Sequence, residues 1–256
     1  MPACSFTVLG SSSGTVQADR ACSGYVLKTG GSLTLLDCGG GVVASLLRCG
    51  FNLLDIDRVF ISHTHPDHCS DLPLFIQQVY LGERSKRLDL FLPGEFVRPF
   101  RDFLNAVYLI PERFPCDLNL VGYQDGYRFQ GPFMLRAIGN RHLSGLGEWI
   151  DKLSLPNRMQ CHSFLISGCG RTLYYSSDVY DLDDIRPHLA KADLAIVESK
   201  HIDIPAFLEL AQGCHLEKVF MSHLDLPEDV ERLRQAISKS GMKNVVIAHD
   251  GLTIEV

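Results

Sequence analysis

The sequence predicts an α/β fold, a four-layer αββα sandwich in which two sheets pack face to face with helices outside, and three observations carry this. Short apolar strands come in two blocks, each block goes on to acquire helices, and wholly apolar runs recur between those helices. In the first block, strands are read at residues 6–9, 24–28 and 33–37, with Thr29-Gly30-Gly31 as a turn between the second and third. The second block repeats the texture at 133–138, 163–167 and 172–176, around the turn Gly168-Cys169-Gly170. Helical period appears at 42–49, 73–81, 95–108 and 227–240, the last opening with Pro227, Glu228 and Asp229, which suit a helix N-terminus. The runs 58–62, 194–197, 219–222 and 245–248 are short and apolar, as strands covered on both faces are. No repeat or long linker interrupts the 256 residues, and 46% of them are hydrophobic, enough for one core; a single domain over 1–256 is expected.

Charge and composition narrow the function. Against 30 Asp plus Glu stand 24 Lys plus Arg, and a net charge of −6 offers no general attraction to phosphate backbones or anionic lipid. The densest basic cluster, Arg84, Lys86 and Arg87, reads as a solvated turn, so nucleic acid is not an expected partner. The opening MPACSFTVLG lacks the pattern of a secretory signal, and no apolar run approaches the roughly 20 residues of a membrane span. A cytoplasmic location without a membrane partner is therefore expected. Nine cysteines, an odd number without a C-x-x-C pair, fit neither a complete disulfide framework nor a cysteine-zinc module, and most read as buried reduced thiols.

Residues Arg58 to His68, RVFISHTHPDH, hold the most chemical information. An apolar strand runs straight into three histidines and an aspartate. If the extended geometry persists, His63 and His65 project to one side. Pro66 then stops the strand, and Asp67 and His68, turned apart at the next helix, can serve two different ions. Imidazole nitrogen and carboxylate oxygen suit zinc, manganese or iron.

His63-Thr-His65-Pro-Asp67-His68 resembles the H-x-H-x-D-H signature of the metallo-β-lactamase superfamily. Leu35-Leu-Asp37-Cys-Gly39 resembles that superfamily's early D-x-G strand end, whose aspartate supports the metal histidines. His142, Asp178 and His223 each follow a strand in the order of the remaining family ligands. Within the superfamily the likeness is closer to ribonuclease Z and to the cyclic phosphodiesterase of phosphonate breakdown, through Leu9-Gly-Ser-Ser-Ser-Gly14, the strand ending at His223, and Asp250-Gly-Leu-Thr-Ile254. The resemblance implies two divalent ions per chain, zinc first and manganese or iron otherwise. It gives His63, His65 and His142 to one ion and Asp67, His68 and His223 to the other, with Asp178 shared, and it implies a metal-bridging hydroxide as nucleophile. It also implies catalytic roles for Asp67 and for His201, which contacts substrate phosphate or protonates the leaving group, and Glu198 is read as catalytic too, orienting His201 or a metal ligand. Asp37 is expected behind the ligands. His249 has a possible site role, His162 reads as cleft wall, and His188 and His215 read as surface.

Ribonuclease Z holds tRNA with a long arm between its third and fourth metal motifs, whereas here residues 143–177 alone separate His142 from Asp178. Within 144–160, Lys152 and Arg158 are balanced by Glu148 and Asp151, so the segment supplies no electrostatic grip. Its Leu146, Trp149, Ile150, Leu153 and Leu155 read as a lid or as the contact of a homodimer, and both stay open. The expected activity is a metal-dependent hydrolase, a phosphodiesterase on a small or cyclic phosphodiester. The alternatives are another ester class (thioester, lactone or sulfate ester), a tRNA 3′-end endonuclease, or a metal-binding sensor with vestigial activity.

Overall fold

The computed structural model describes residues 4–255; Met1 to Ala3 and Val256, at the ends of the expected 1–256 unit, lie outside the described residues. The first sheet is built from β1 (Cys4–Gly10), β2 (Gly24–Thr29), β3 (Ser32–Cys38), β4 (Ile56–Phe60), β5 (Leu88–Pro93) and β6 (Leu118–Tyr123). The second takes β7 (Arg128–Gln130), β8 (Met134–Gly139), β9 (His162–Gly168), β10 (Arg171–Tyr175), β11 (Leu194–Glu198), β12 (Lys218–Ser222) and β13 (Val245–Ile247), after which β14 (Thr253–Glu255) returns to the edge of the first beside β1. Each sheet is antiparallel in one half and parallel in the other: β3 to β6 run parallel, as do β10 to β13.

Helices α1 (Val42–Arg48), α2 (Pro66–Cys69), α3 (Leu72–Leu81) and α4 (Val97–Ala106) come from the first half, and α5 (Gly147–Leu153), α6 (Leu182–Leu189), α7 (Ile204–Gln212) and α8 (Pro227–Ser240) from the second. Four layers need three apolar interfaces, and the buried residues fall into three clusters. Leu35, Val59 and Leu90 pack on Val42, Leu46, Phe75 and Ile76 outside the first sheet. Leu36, Phe60 and Phe91 turn the other way and meet Phe164, Ile196 and Phe220 between the sheets. Val197 and Met221 face Phe207, Leu208 and Leu233 outside the second. Adjacent residues in one strand thus serve opposite faces, which is why these strands read as continuous apolar runs.

The expected sandwich is what forms, with local differences. The run 58–62 pairs one turn of the pleat earlier, at Ile56–Phe60, and 245–248 stops at Ile247. The helix expected over 95–108 is a 3-10 turn, Gly94–Phe96, followed by α4, which ends before Tyr108 takes a left-handed φ of 64°. Strands β5 and β6 and helices α6 and α7 were not expected. Cys4 and Cys169 form a disulfide with a Cα–Cα separation of 6.3 Å, which corrects the reading of those two as reduced thiols; the other seven are free. The pair is 165 residues apart in sequence and meets only because the two sheets pack, so spacing gives no sign of it.

Candidate metal centre

The histidines and carboxylates singled out above meet where strands end. Asp37 is next to last in β3, His63 follows β4, His142 follows β8, Asp178 follows β10, Glu198 closes β11 and His223 follows β12. In open sheets of this kind the carboxyl ends of the strands leave a crevice whose walls are loops. The chain bends sharply there: Asp37, Ser177 and His223 hold left-handed φ values of 57°, 51° and 55°, strain concentrated at one place.

Two groups of ligand atoms result. His63, His65, His142 and Asp178 form one, Asp67, His68, Asp178 and His223 the other, and within each the atoms lie inside 4.8 Å of one another. Asp178 belongs to both. Its Oδ2 is 3.9 Å from His63 Nε2, 3.6 Å from His142 Nε2 and 3.3 Å from His223 Nε2, while its Oδ1 is 3.1 Å from His68 Nε2. Asp67 Oδ2 stands 3.7 Å from His68 Nε2 and 3.8 Å from His223 Nε2. Bond lengths of roughly 2 Å in a tetrahedral site put neighbouring ligand atoms about 3.3 Å apart, so these spacings fit a divalent ion in each group. Among the described residues, His63 Nε2, His68 Nε2 and Asp178 Oδ1 are buried without a hydrogen-bond partner, which is costly unless a cation satisfies them.

The electrostatics agree with the donor set. Burial holds His63 well below the ordinary imidazole value, and lowers His65, His142 and His223 as well, toward the neutral form that metal binding needs. His68 goes the other way: burial pulls it down, but the Asp178 and Asp37 carboxylates outweigh burial and raise it well above that value. Burial would raise Asp178, yet His223 and His68 hold it well below the usual carboxylate range. This charge pairing is the balance a bound cation itself provides.

His201 stands at the mouth, its ring centre 4.9 Å from that of His142 and 5.9 Å from that of His223. Buried Glu198 takes backbone N–H bonds from Lys200 at 2.7 Å and His201 at 2.8 Å, and its Oε1 is 3.1 Å from His201 Nδ1. Burial lowers His201, but the Glu198 bond and charge outweigh it and raise the imidazole above its ordinary value. His249 is exposed and in neither group, its Nδ1 3.1 Å from the Asp250 carbonyl. Asp250 instead latches the loop after β1, accepting from Ser11 and Ala21 N–H groups at 2.9 and 2.7 Å. His162 is buried against Tyr123, His215 is exposed, and His188, expected at the surface, is half-buried against Tyr174.

Four residues next to the ligands escaped the sequence reading. Ser23 lies 3.1 Å from His223 Nδ1, and Ser62, Tyr175 and Ser177 gather around Asp37. The signals were positional: Ser62 immediately precedes His63, and Tyr175 and Ser177 stand three and one positions before Asp178. Gly14 closes the near wall, where an added Cβ would sit 3.2 Å from Asp67 Oδ2.

Two sheets flanked by helices, with histidines and aspartates gathered at their strand ends, define a metallo-β-lactamase fold. Residues 4–198 match the family model described as anti-Pycsar protein Apyc1, and the chain belongs to that family. Ribonuclease Z from Methanosarcina acetivorans is 22% identical over 98% of this chain and 97% of its own length. Ribonuclease Z from Thermoplasma acidophilum is 30% identical over 48% of this chain, a match spanning only 39% of that relative. Among solved structures, the metallo-β-lactamase fold protein YhfI from Bacillus subtilis superposes over the whole of both chains with a TM-score of 0.81 at 21% identity. The short form of human tRNase Z gives 0.72 at 19% identity over 98% of each chain.

Proposed function

We propose that this chain is a dinuclear metal-dependent hydrolase of small or cyclic phosphodiesters. The observation that carries the reading is the pair of four-ligand groups sharing Asp178, with buried donor atoms left free to bind. His63, His65 and His142 would hold one ion, Asp67, His68 and His223 the other, with Asp178 between. Two such ions, bound there, lower the pKa of a water and offset the charge on a phosphoryl group. The remaining steps fall to the chain. His201, its Nδ1 proton held by the buried Glu198 carboxylate, gives the proton on Nε2 to the departing oxygen and is left as the neutral imidazole; Glu198 keeps the ring turned toward the cleft.

Size favours a small substrate. Beside the motif, Thr64, Phe96, Gln124, Asn157 and Arg158 line a cleft of about 860 Å³, in the range of a single-ligand site. The 144–160 segment forms only a 3-10 turn, His142–Leu146, and α5, with no basic arm. A second reading, tRNA 3′-end cleavage, is favoured by the ribonuclease Z relatives. Zinc-reconstituted protein assayed on bis(4-nitrophenyl) phosphate, cyclic mononucleotides and precursor tRNA separates the two. Turnover of the small diesters with weak tRNA cleavage is expected; efficient tRNA cutting with the small diesters untouched would overturn the proposal.

A further inference from the structure

Beneath the two ligand groups one carboxylate gathers an unusual number of donors. Asp37, fully buried at the end of β3, accepts the Ser62 N–H on Oδ1 at 2.7 Å. Its Oδ2 accepts three more bonds: from the Tyr175 hydroxyl at 2.6 Å, from His68 Nδ1 at 2.8 Å and from the Ser62 hydroxyl at 2.9 Å. The Ser62 oxygen in turn lies 3.1 Å from His63 Nδ1 and accepts the Ser177 hydroxyl at 2.8 Å. His68 belongs to one ligand group and His63 to the other. Asp37 therefore holds the outer nitrogen of one histidine directly and that of the other through a single hydroxyl. Tyr175 reaches this point from β10, in the opposite sheet, so the carboxylate is fixed from both sheets at once.

We propose that the Ser62 and Tyr175 hydroxyls are positioning groups which, through Asp37, set the tautomer and ring angle of one histidine in each group and make the two metal sites fill as a pair. A histidine that donates its outer N–H to an acceptor presents its other nitrogen, unprotonated, to the ion, and such outer partners typically change metal affinity about 10- to 100-fold. Here the same acceptor serves both sites. Ordering Asp37 for His68 also orders Ser62 for His63, so the ordering cost of the second ion is already met when the first has bound. Tyr175 adds a rigid donor whose ring packs among Tyr25 and Phe164 and cannot swing away.

The inference rests on the metal-centre reading above, and the test separates the two. Apo-protein is titrated with zinc against a chromophoric chelator, and the cobalt(II) form is followed by its visible absorption bands. The wild type is expected to take up two ions in one cooperative step. Ser62→Ala cuts the link to His63 while leaving the Asp37–His68 bond, and should split uptake into two steps, the weaker lowered about 10- to 100-fold. Tyr175→Phe keeps the packed ring, guards against a Ser62→Ala chain that fails to fold, and should weaken the His68 site and shift its cobalt bands. Two-ion uptake in one step at wild-type affinity in Tyr175→Phe, or in a folded Ser62→Ala, overturns the coupling and leaves the metal centre standing. No zinc bound by the wild type overturns both.

Discussion

At the floor of the cleft, His63, His68 and Asp178 expose 0%, 1% and 3% of their side-chain surface, whereas Trp149, Leu153 and Leu155, along and just past α5, stand 57%, 58% and 45% exposed. The two regions adjoin through His142, since α5 begins directly after the 3-10 turn that starts at that ligand. The floor is polar yet enclosed, with its hydrogen bonds supplied by strand ends from both sheets. The wall is apolar yet left in solvent, with Lys152 lying over the Trp149 ring at 4.9 Å. Beyond α5, Glu95 pins the chain again by accepting N–H bonds from Arg158 and Gln160. A rigid, enclosed floor suits chemistry that tolerates little displacement. An exposed apolar wall, tied at both ends, suits contact with something that comes and goes.

The sharpest way to break this comparison is Asp178→Ala, because that carboxylate touches four histidines. Zinc content measured by elemental analysis should fall from about two ions per chain to one or fewer, and diester hydrolysis should fall by more than the roughly 100-fold typical of an outer-partner mutation. Unchanged loading would remove Asp178 from the centre. Next in size is His201→Ala, which should keep both ions yet lose about 10²- to 10⁴-fold in turnover of a diester with a poor leaving group. The loss should shrink with a nitrophenolate, which scarcely needs the proton. An ion lost in this variant would move His201 from the mouth to the floor.

Stability is the next measure. The Cys4–Cys169 disulfide closes a loop of 165 residues, for which chain entropy allows up to about 5 kcal/mol and native disulfides typically deliver roughly 2–5. Cys169→Ser should lower the urea midpoint of the unreduced protein, and reductant should lower the wild type by the same amount; a wild type indifferent to reductant would show that the pair does not form in solution. The smallest stability change is expected at the wall. Trp149→Ser removes an exposed ring and should shift unfolding by less than about 0.5 kcal/mol. Its KM for the diester should rise if α5 covers substrate; unchanged KM with a smaller mass by light scattering would assign α5 to a second copy of the chain.

Much of this was legible in the sequence because the information was local. His63 to His68 sit within six residues, and the runs that became β4, β11 and β12 announce themselves by being apolar throughout. What escaped depends on contacts between distant segments. Tyr175 looks like one of two strand tyrosines until β10 is laid across β3, and only then does one of them meet Asp37. Asp250 stood out only as part of a terminal family likeness, and it holds a loop, because its partners Ser11 and Ala21 lie at the other end of the sequence. His249, beside that segment in sequence, lies in neither ligand group. Helix α7 did carry a local signal, Asp203 capping the N–H of Ala206 with Pro205 in the first turn, but without a long periodic run to make it stand out.

The pairing of β1 with β14 sets an order of events during synthesis. Ser5, Phe6 and Thr7 wait for Glu255, Ile254 and Thr253, and the loop from Ser11 to Ala21 waits for Asp250. A chain still short of residue 250 can hold every candidate metal ligand, the last being His223, yet lacks the latch that sets the wall at Gly14 against Asp67. The centre can therefore gather its ions before its near wall closes, and a released chain truncated at about residue 245 is expected to bind zinc while remaining open to protease between residues 11 and 21.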